Sequence, residues 1–250
     1  IQSVKIPFLR QNRAPRITRI LFHATVPEAM KKLQPTLAQG KAALMWEASD
    51  DDQDTLTYAV YFRLDGDPWW RLLRDGISDK QLAFDPALLP DGWYHFKVVA
   101  SDHPANSDET YLQGSATTGK HLLDNTKPEF YDLKATVEGD KIVIQGRIRD
   151  AHTTIAAIRY SLNARGWHQV FPVDQVLDSH NEAFRIVLDR KTNRELVGGS
   201  NLLILRAMDK EQNWTTTSLF FQVTLGSGDA GTVNDSIYFQ QLQKEQGQQD

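Results

Sequence analysis

The residues best suited to chemistry are the acids of Asp50-Asp51-Asp52-Gln53-Asp54, with Asp102, His103 and Asn106 further along the chain. Hard carboxylate oxygens crowded in one loop suit Ca²⁺, which takes six to eight oxygen ligands. Asp50, Asp52, Asp54 and Asp102 are therefore the candidate ligands for a bound Ca²⁺. The run lacks the glycine and the distal bidentate Glu of an EF-hand loop. The commoner arrangement for such a stretch is an Asx-rich turn whose side chains accept from local backbone amides. The second half of the chain offers Asp150, His152, Asp209 and Asn213, for which hydrogen bonds to nearby backbone are expected in preference to metal.

Aromatic residues give a second set of candidates. Trp69 and Trp70 are neighbours, so on a regular strand they point to opposite faces and one is exposed beside Pro68. Trp93 beside Tyr94 is placed the same way. Exposed indoles stack on sugar rings, anchor protein interfaces or simply cover a sandwich edge. Trp214 has the same three readings.

Catalytic motifs are missing from the sequence. It contains no Gly-x-Ser-x-Gly elbow, no phosphate-binding Gly-rich loop and no His-Glu-x-x-His. The 7 histidines are scattered, and the carboxylates fall mostly in turns, where no apolar pocket would raise a pKa for acid catalysis. A non-enzyme is expected. The net charge of −4 does not suit nucleic acid, although Lys5, Arg10, Arg13, Arg16 and Arg19 all precede the first acid, Glu28. No apolar run is long enough for a membrane helix. Cysteine is absent, which excludes disulfides and thiolate metal sites. The start at Ile1, with no apolar leader, reads as a fragment or processed product.

The elements that must hold these residues alternate with period two. Ala42/Leu44/Trp46, Tyr58/Val60/Phe62, Tyr94/Phe96/Val98/Ala100, Ile142/Ile144/Ile148 and Leu203/Leu205/Ala207 each line one strand face. Turn signals at Asp65-Gly66, Asp91-Gly92, Glu138-Gly139-Asp140 and Gly198-Gly199 separate them. Helix is expected only at Pro27–Leu33 and as one turn near Phe84–Leu89. An internal repeat sets the domain count. A tyrosine strand followed by Trp occurs at Tyr58…Trp69-Trp70 and again at Tyr160…Trp167, and Ala-x-Asp-x-x-x-Asn occurs at Ala100/Asp102/Asn106 and at Ala207/Asp209/Asn213.

Leu88-x-Pro90-x-Gly92-x-Tyr94-x-Phe96-x-Val98-x-Ala100, with Trp46 on an earlier strand, resembles the fibronectin type III pattern over roughly residues 14–123. In that pattern the tyrosine buries its ring while its hydroxyl bonds backbone upstream. The second half resembles compact relatives of type III domains that follow propellers in bacterial surface proteins, with Asn201 where the corner Tyr would stand. Asn125-Thr126-Lys127-Pro128 is similar to the joint between bacterial immunoglobulin-like repeats. The resemblance implies an all-β chain of two tandem fibronectin type III-like (immunoglobulin-like) antiparallel sandwiches. Expected bounds are a lead-in at 1–13, domains at 14–123 and 124–225, and a flexible tail at 226–250 holding the apolar island Ser236–Phe239. Asp150, His152, Asp209 and Asn213 are expected to order the joint near Asp124-Asn125.

The implied function is a non-catalytic structural and interaction module of a larger bacterial extracytoplasmic protein, whether secreted, periplasmic or at the cell surface. Its partner would be an upstream domain of the same chain or another protein, met through residues 1–20 and the loops near Asp52. The alternative is a carbohydrate-binding accessory module of a secreted glycan-active enzyme, with Trp69, Trp70 or Trp93 as the stacking platform.

Overall fold

Alternating apolar residues fold this chain into strands. The computed structural model describes residues 11–26, Lys32, 42–223 and 240–241. The expected helix at Pro27–Leu33 lies outside them except for Lys32, as do the Gly226–Gly231 linker, the Ser236–Phe239 island and residues 1–10. The chain divides into two compact units, Ile1–Asn125 and Thr126–Asp250.

In the first unit, β1 (Arg16–His23), β2 (Ala42–Ser49) and β5 (Gln81–Phe84) form one antiparallel sheet in the order β1-β2-β5. The second sheet has the order β4-β3-β6-β7, from β3 (Thr57–Leu64), β4 (Arg71–Ile77), β6 (Gly92–Ser101) and β7 (Gln113–Thr117). A further strand, β8 (His121–Leu123), pairs with the start of β6, so the last strand of this sandwich is laid down in two pieces. The β3–β6 register sets Tyr58 opposite Ala100, Val60 opposite Val98 and Phe62 opposite Phe96. Those inward faces close on Ala42, Leu44 and Trp46 from β2, and the Trp46 ring meets Tyr58 edge-on at 5.3 Å. The expected turn near Phe84–Leu89 is a 3₁₀ turn at Pro86–Leu88, capped by the Asp85 side chain accepting from the Ala87 amide. Proline at its first position fixes φ where no N–H is needed.

The second unit repeats this plan. Strands β9 (Glu129–Glu138), β10 (Lys141–Arg149) and β13 (Asn181–Asp189) pair in the order β13-β10-β9. Strands β11 (Ile155–Leu162), β12 (His168–Val170), β14 (Gly199–Asp209) and β15 (Trp214–Val223) pair in the order β12-β11-β14-β15, with β16 (Gln240–Gln241) beside β15. Its core has no tryptophan. Phe184 and Phe221 fill the interior with a shell of Ile, Leu and Val. Both units thus share one strand order, 1-2-5 facing 4-3-6-7, and the side chains between the two sheets form the core.

Candidate functional site

Two corners hold the sandwiches where β6 and β14 begin. In the first unit, Tyr94 is buried and its hydroxyl donates to the Pro90 carbonyl at 2.8 Å, four residues upstream. Burial pushes its phenol pKa up. In the second unit, Asn201 occupies the same place and is fully buried. Its Nδ2 donates to the Val197 carbonyl, also four residues upstream, at 2.8 Å and to the Gly199 carbonyl at 3.1 Å. Its Oδ1 accepts from the Val197 amide at 3.0 Å and from Asn163 Nδ2 at 2.9 Å. The amide thus replaces one phenolic bond with four shorter-reach bonds, which the sequence signalled only as a departure from tyrosine.

No protein-family model and no curated protein sequence matches the chain. Among solved structures it resembles the fibronectin(III)-like modules of CbhA from Clostridium thermocellum, at 15% identity and a TM-score of 0.34, covering 73% of this chain and 85% of that one. The FN1-FN3 domains of chicken CNTN1 match at 15% identity and a TM-score of 0.35, with 73% and 62% covered. Dimeric latent PorU from Porphyromonas gingivalis matches at 11% identity and a TM-score of 0.34; 75% of this chain aligns with 22% of that one. With scores this low, the strand order and the Tyr94 corner carry the assignment. Both units are fibronectin type III-like sandwiches.

The acidic loop of this first type III-like unit joins β2 to β3, and the Asp102–Asn106 loop follows β6 at the same end. Asp50 Oδ1 accepts from the amides of Asp52 at 2.9 Å and Asp54 at 3.2 Å, an Asx turn. Asp52 Oδ2 accepts from the Arg13 amide at 2.7 Å. Asn106 Nδ2 joins the two loops, donating to Asp54 Oδ2 at 2.8 Å and to the Asp102 carbonyl at 3.2 Å. Asp102 is fully buried; its Oδ1 accepts from the Leu112 amide at 2.7 Å and its Oδ2 from Asn12 Nδ2 at 2.8 Å. Each of the four candidate ligands thus holds backbone or amide donors, and among the described residues no three of them bring carboxylate oxygens within 4.8 Å of one another. Asn12 lies in the expected lead-in, outside the set of candidate residues. A signal for it is present, because Asn12-x-x-Pro15 matches Asn125-x-x-Pro128.

In the second unit the equivalent loops carry Asp150 and Asp209. Asp150 Oδ1 accepts from the amides of His152 at 2.9 Å and Thr153 at 2.8 Å. Asp209 accepts from the Asn213 amide and from Asn213 Nδ2, both at 2.8 Å. Burial pushes the Asp209 pKa up, the Asn213 bonds pull it back, and the Asp150 charge raises it again.

The tryptophans differ in what remains free. Trp69 is 73% exposed, while Trp70 is half-buried with the Arg63 guanidinium and the Lys97 ammonium each 4.9 Å from its ring centroid. Lys97 also lies 4.8 Å from the Tyr61 ring. Trp93 is exposed and carries the Lys120 ammonium at 5.2 Å. Trp214 repeats the theme, with Arg206 at 3.9 Å and Arg159 at 5.8 Å. Cations at these distances are held by the ring quadrupole.

Proposed function

We propose that the chain is a non-catalytic spacing and interaction module of a larger extracytoplasmic protein. The observation that supports this is how the chain leaves its first sandwich. Asn125, two residues past β8, donates its amide to Asp91 Oδ1 at 2.7 Å. Its Nδ2 donates to the same oxygen at 2.9 Å and to the Leu89 carbonyl at 3.2 Å. The segment is pinned to the loop that precedes the Tyr94 strand. Only Thr126, Lys127 and the buried Pro128 then remain before β9. A loose linker has slack; three residues between the fastened Asn125 and β9 leave little length for it, which supports a part whose task is to set spacing.

Limited digestion with a protease of broad specificity tests the reading. The intact chain should resist cut within residues 124–128, and Asn125→Ala should be cut there at least several-fold faster. Equal cutting of both proteins would contradict a pinned connection, and substrate turnover by the purified chain would contradict the non-catalytic assignment.

Trp69 favours a second reading, glycan binding. Its indole is largely exposed, whereas Trp70 and Trp93 already carry cations. On affinity gels containing polysaccharide, retardation should disappear in Trp69→Ala and persist in Trp70→Ala. Mobility unaffected by any polysaccharide removes this reading and leaves the first intact.

A further inference from the structure

The loop-bearing end of the second sandwich buries more negative charge than its hydrogen bonds use. Asp150 follows β10 and Asp209 closes β14, with 7% and 0% of their surfaces exposed. Their carboxylates place oxygens within 4.8 Å of one another. Asp150 Oδ1 is engaged by the loop amides, but its Oδ2 is buried with no hydrogen-bond partner. In the same loop Thr154 Oγ1 is also buried without a partner, while the Thr154 carbonyl accepts from the Lys210 amide, next to Asp209. A buried carboxylate oxygen without a donor is costly, and a second carboxylate beside it adds repulsion. A hard cation relieves both at once, and the donors are all oxygens, the set that Ca²⁺ selects.

The first unit repeats one part of this, an orphan carboxylate oxygen in the equivalent loop. Asp50, at the same place after β2, has Oδ1 in an Asx turn and Oδ2 buried without a partner. Asn12, whose Nδ2 binds Asp102, likewise leaves Oδ1 buried and unpartnered.

We propose that the loop end of the second sandwich binds a divalent cation of the Ca²⁺ type through Asp150 Oδ2 and the Asp209 carboxylate, with Thr154 Oγ1 as a further oxygen donor and water completing the shell. The cation neutralises the buried pair and ties the loop after β10 to the loop after β14.

The test is calorimetric titration of the full chain with CaCl₂ at neutral pH after chelator treatment, followed by thermal melting. Asp150→Asn keeps Oδ1 for the loop amides and removes the charge on the orphan oxygen, so the variant should fold. Wild type should bind Ca²⁺ saturably and melt higher with it. Asp150→Asn should bind one ion fewer per chain, and Asp209→Asn, the second variant, should lose the same ion. Absence of Ca²⁺ binding in wild type overturns the proposal, as does unchanged stoichiometry in both variants.

Discussion

Asn201 and Tyr94 solve one problem with different chemistry. Each must fasten the start of a long core strand to the chain four residues upstream. Tyrosine spans the gap with a ring and makes one bond, while asparagine requires the backbone to come to it and makes four. The consequences of removal therefore differ. Tyr94→Phe loses one hydroxyl bond and should cost about 1 kcal/mol. Asn201→Ala removes four bonds from part-buried groups and should cost roughly 3 kcal/mol, since each net hydrogen bond contributes about 1 kcal/mol. Urea unfolding of the two variants compares the costs; an Asn201→Ala loss no larger than that of Tyr94→Phe would contradict this account. Tyr94 was legible in the sequence because its neighbours carry a spaced motif. The role of Asn201 was not, since side-chain amides serve many turns and only the backbone path shows which groups this one reaches. The orphan oxygens of Asp50 and Asp150 were equally hidden, because sequence reveals a carboxylate but not which of its two oxygens is used.

Strands were the most legible elements, because period-two burial leaves a direct trace: Tyr94, Phe96, Val98 and Ala100 are all buried on β6. What the sequence concealed was how strands approach one another. Gly114 on β7 lies so close to the start of the first strand that a Cβ there would sit 1.7 Å from the Pro15 carbonyl oxygen. Gly146 on β10 meets the Leu133 and Phe184 side chains, at 2.5 Å and 3.1 Å from the same construction. Neither glycine sits in one of the turn signals, so the sequence carries no mark of either close approach. The break between β7 and β8 was similarly unreadable. Thr118 fills it by accepting the Phe96 amide on its hydroxyl at 3.0 Å, which substitutes a side chain for a ladder bond.

At the scale of the whole chain, the repeat noticed at Ala-x-Asp-x-x-x-Asn is the visible part of a complete structural duplication with one strand order. The cores reached that order by different routes. One packs Trp46 against Tyr58, and the other dispenses with tryptophan for Phe184, Phe221 and β-branched residues. Divergent filling of one scaffold is expected where volume and pattern are kept. Each sandwich therefore stands on its own core, and this is the claim on which the functional reading depends. Amide hydrogen exchange of the full chain, comparing wild type with Ile148→Val, tests it most directly. Ile148 is fully buried in the second core, so the substitution should cost about 1 kcal/mol and speed exchange roughly fivefold. The account predicts that acceleration across β9–β15 with protection in β1–β8 unchanged. Equal acceleration in β1–β8 would contradict it.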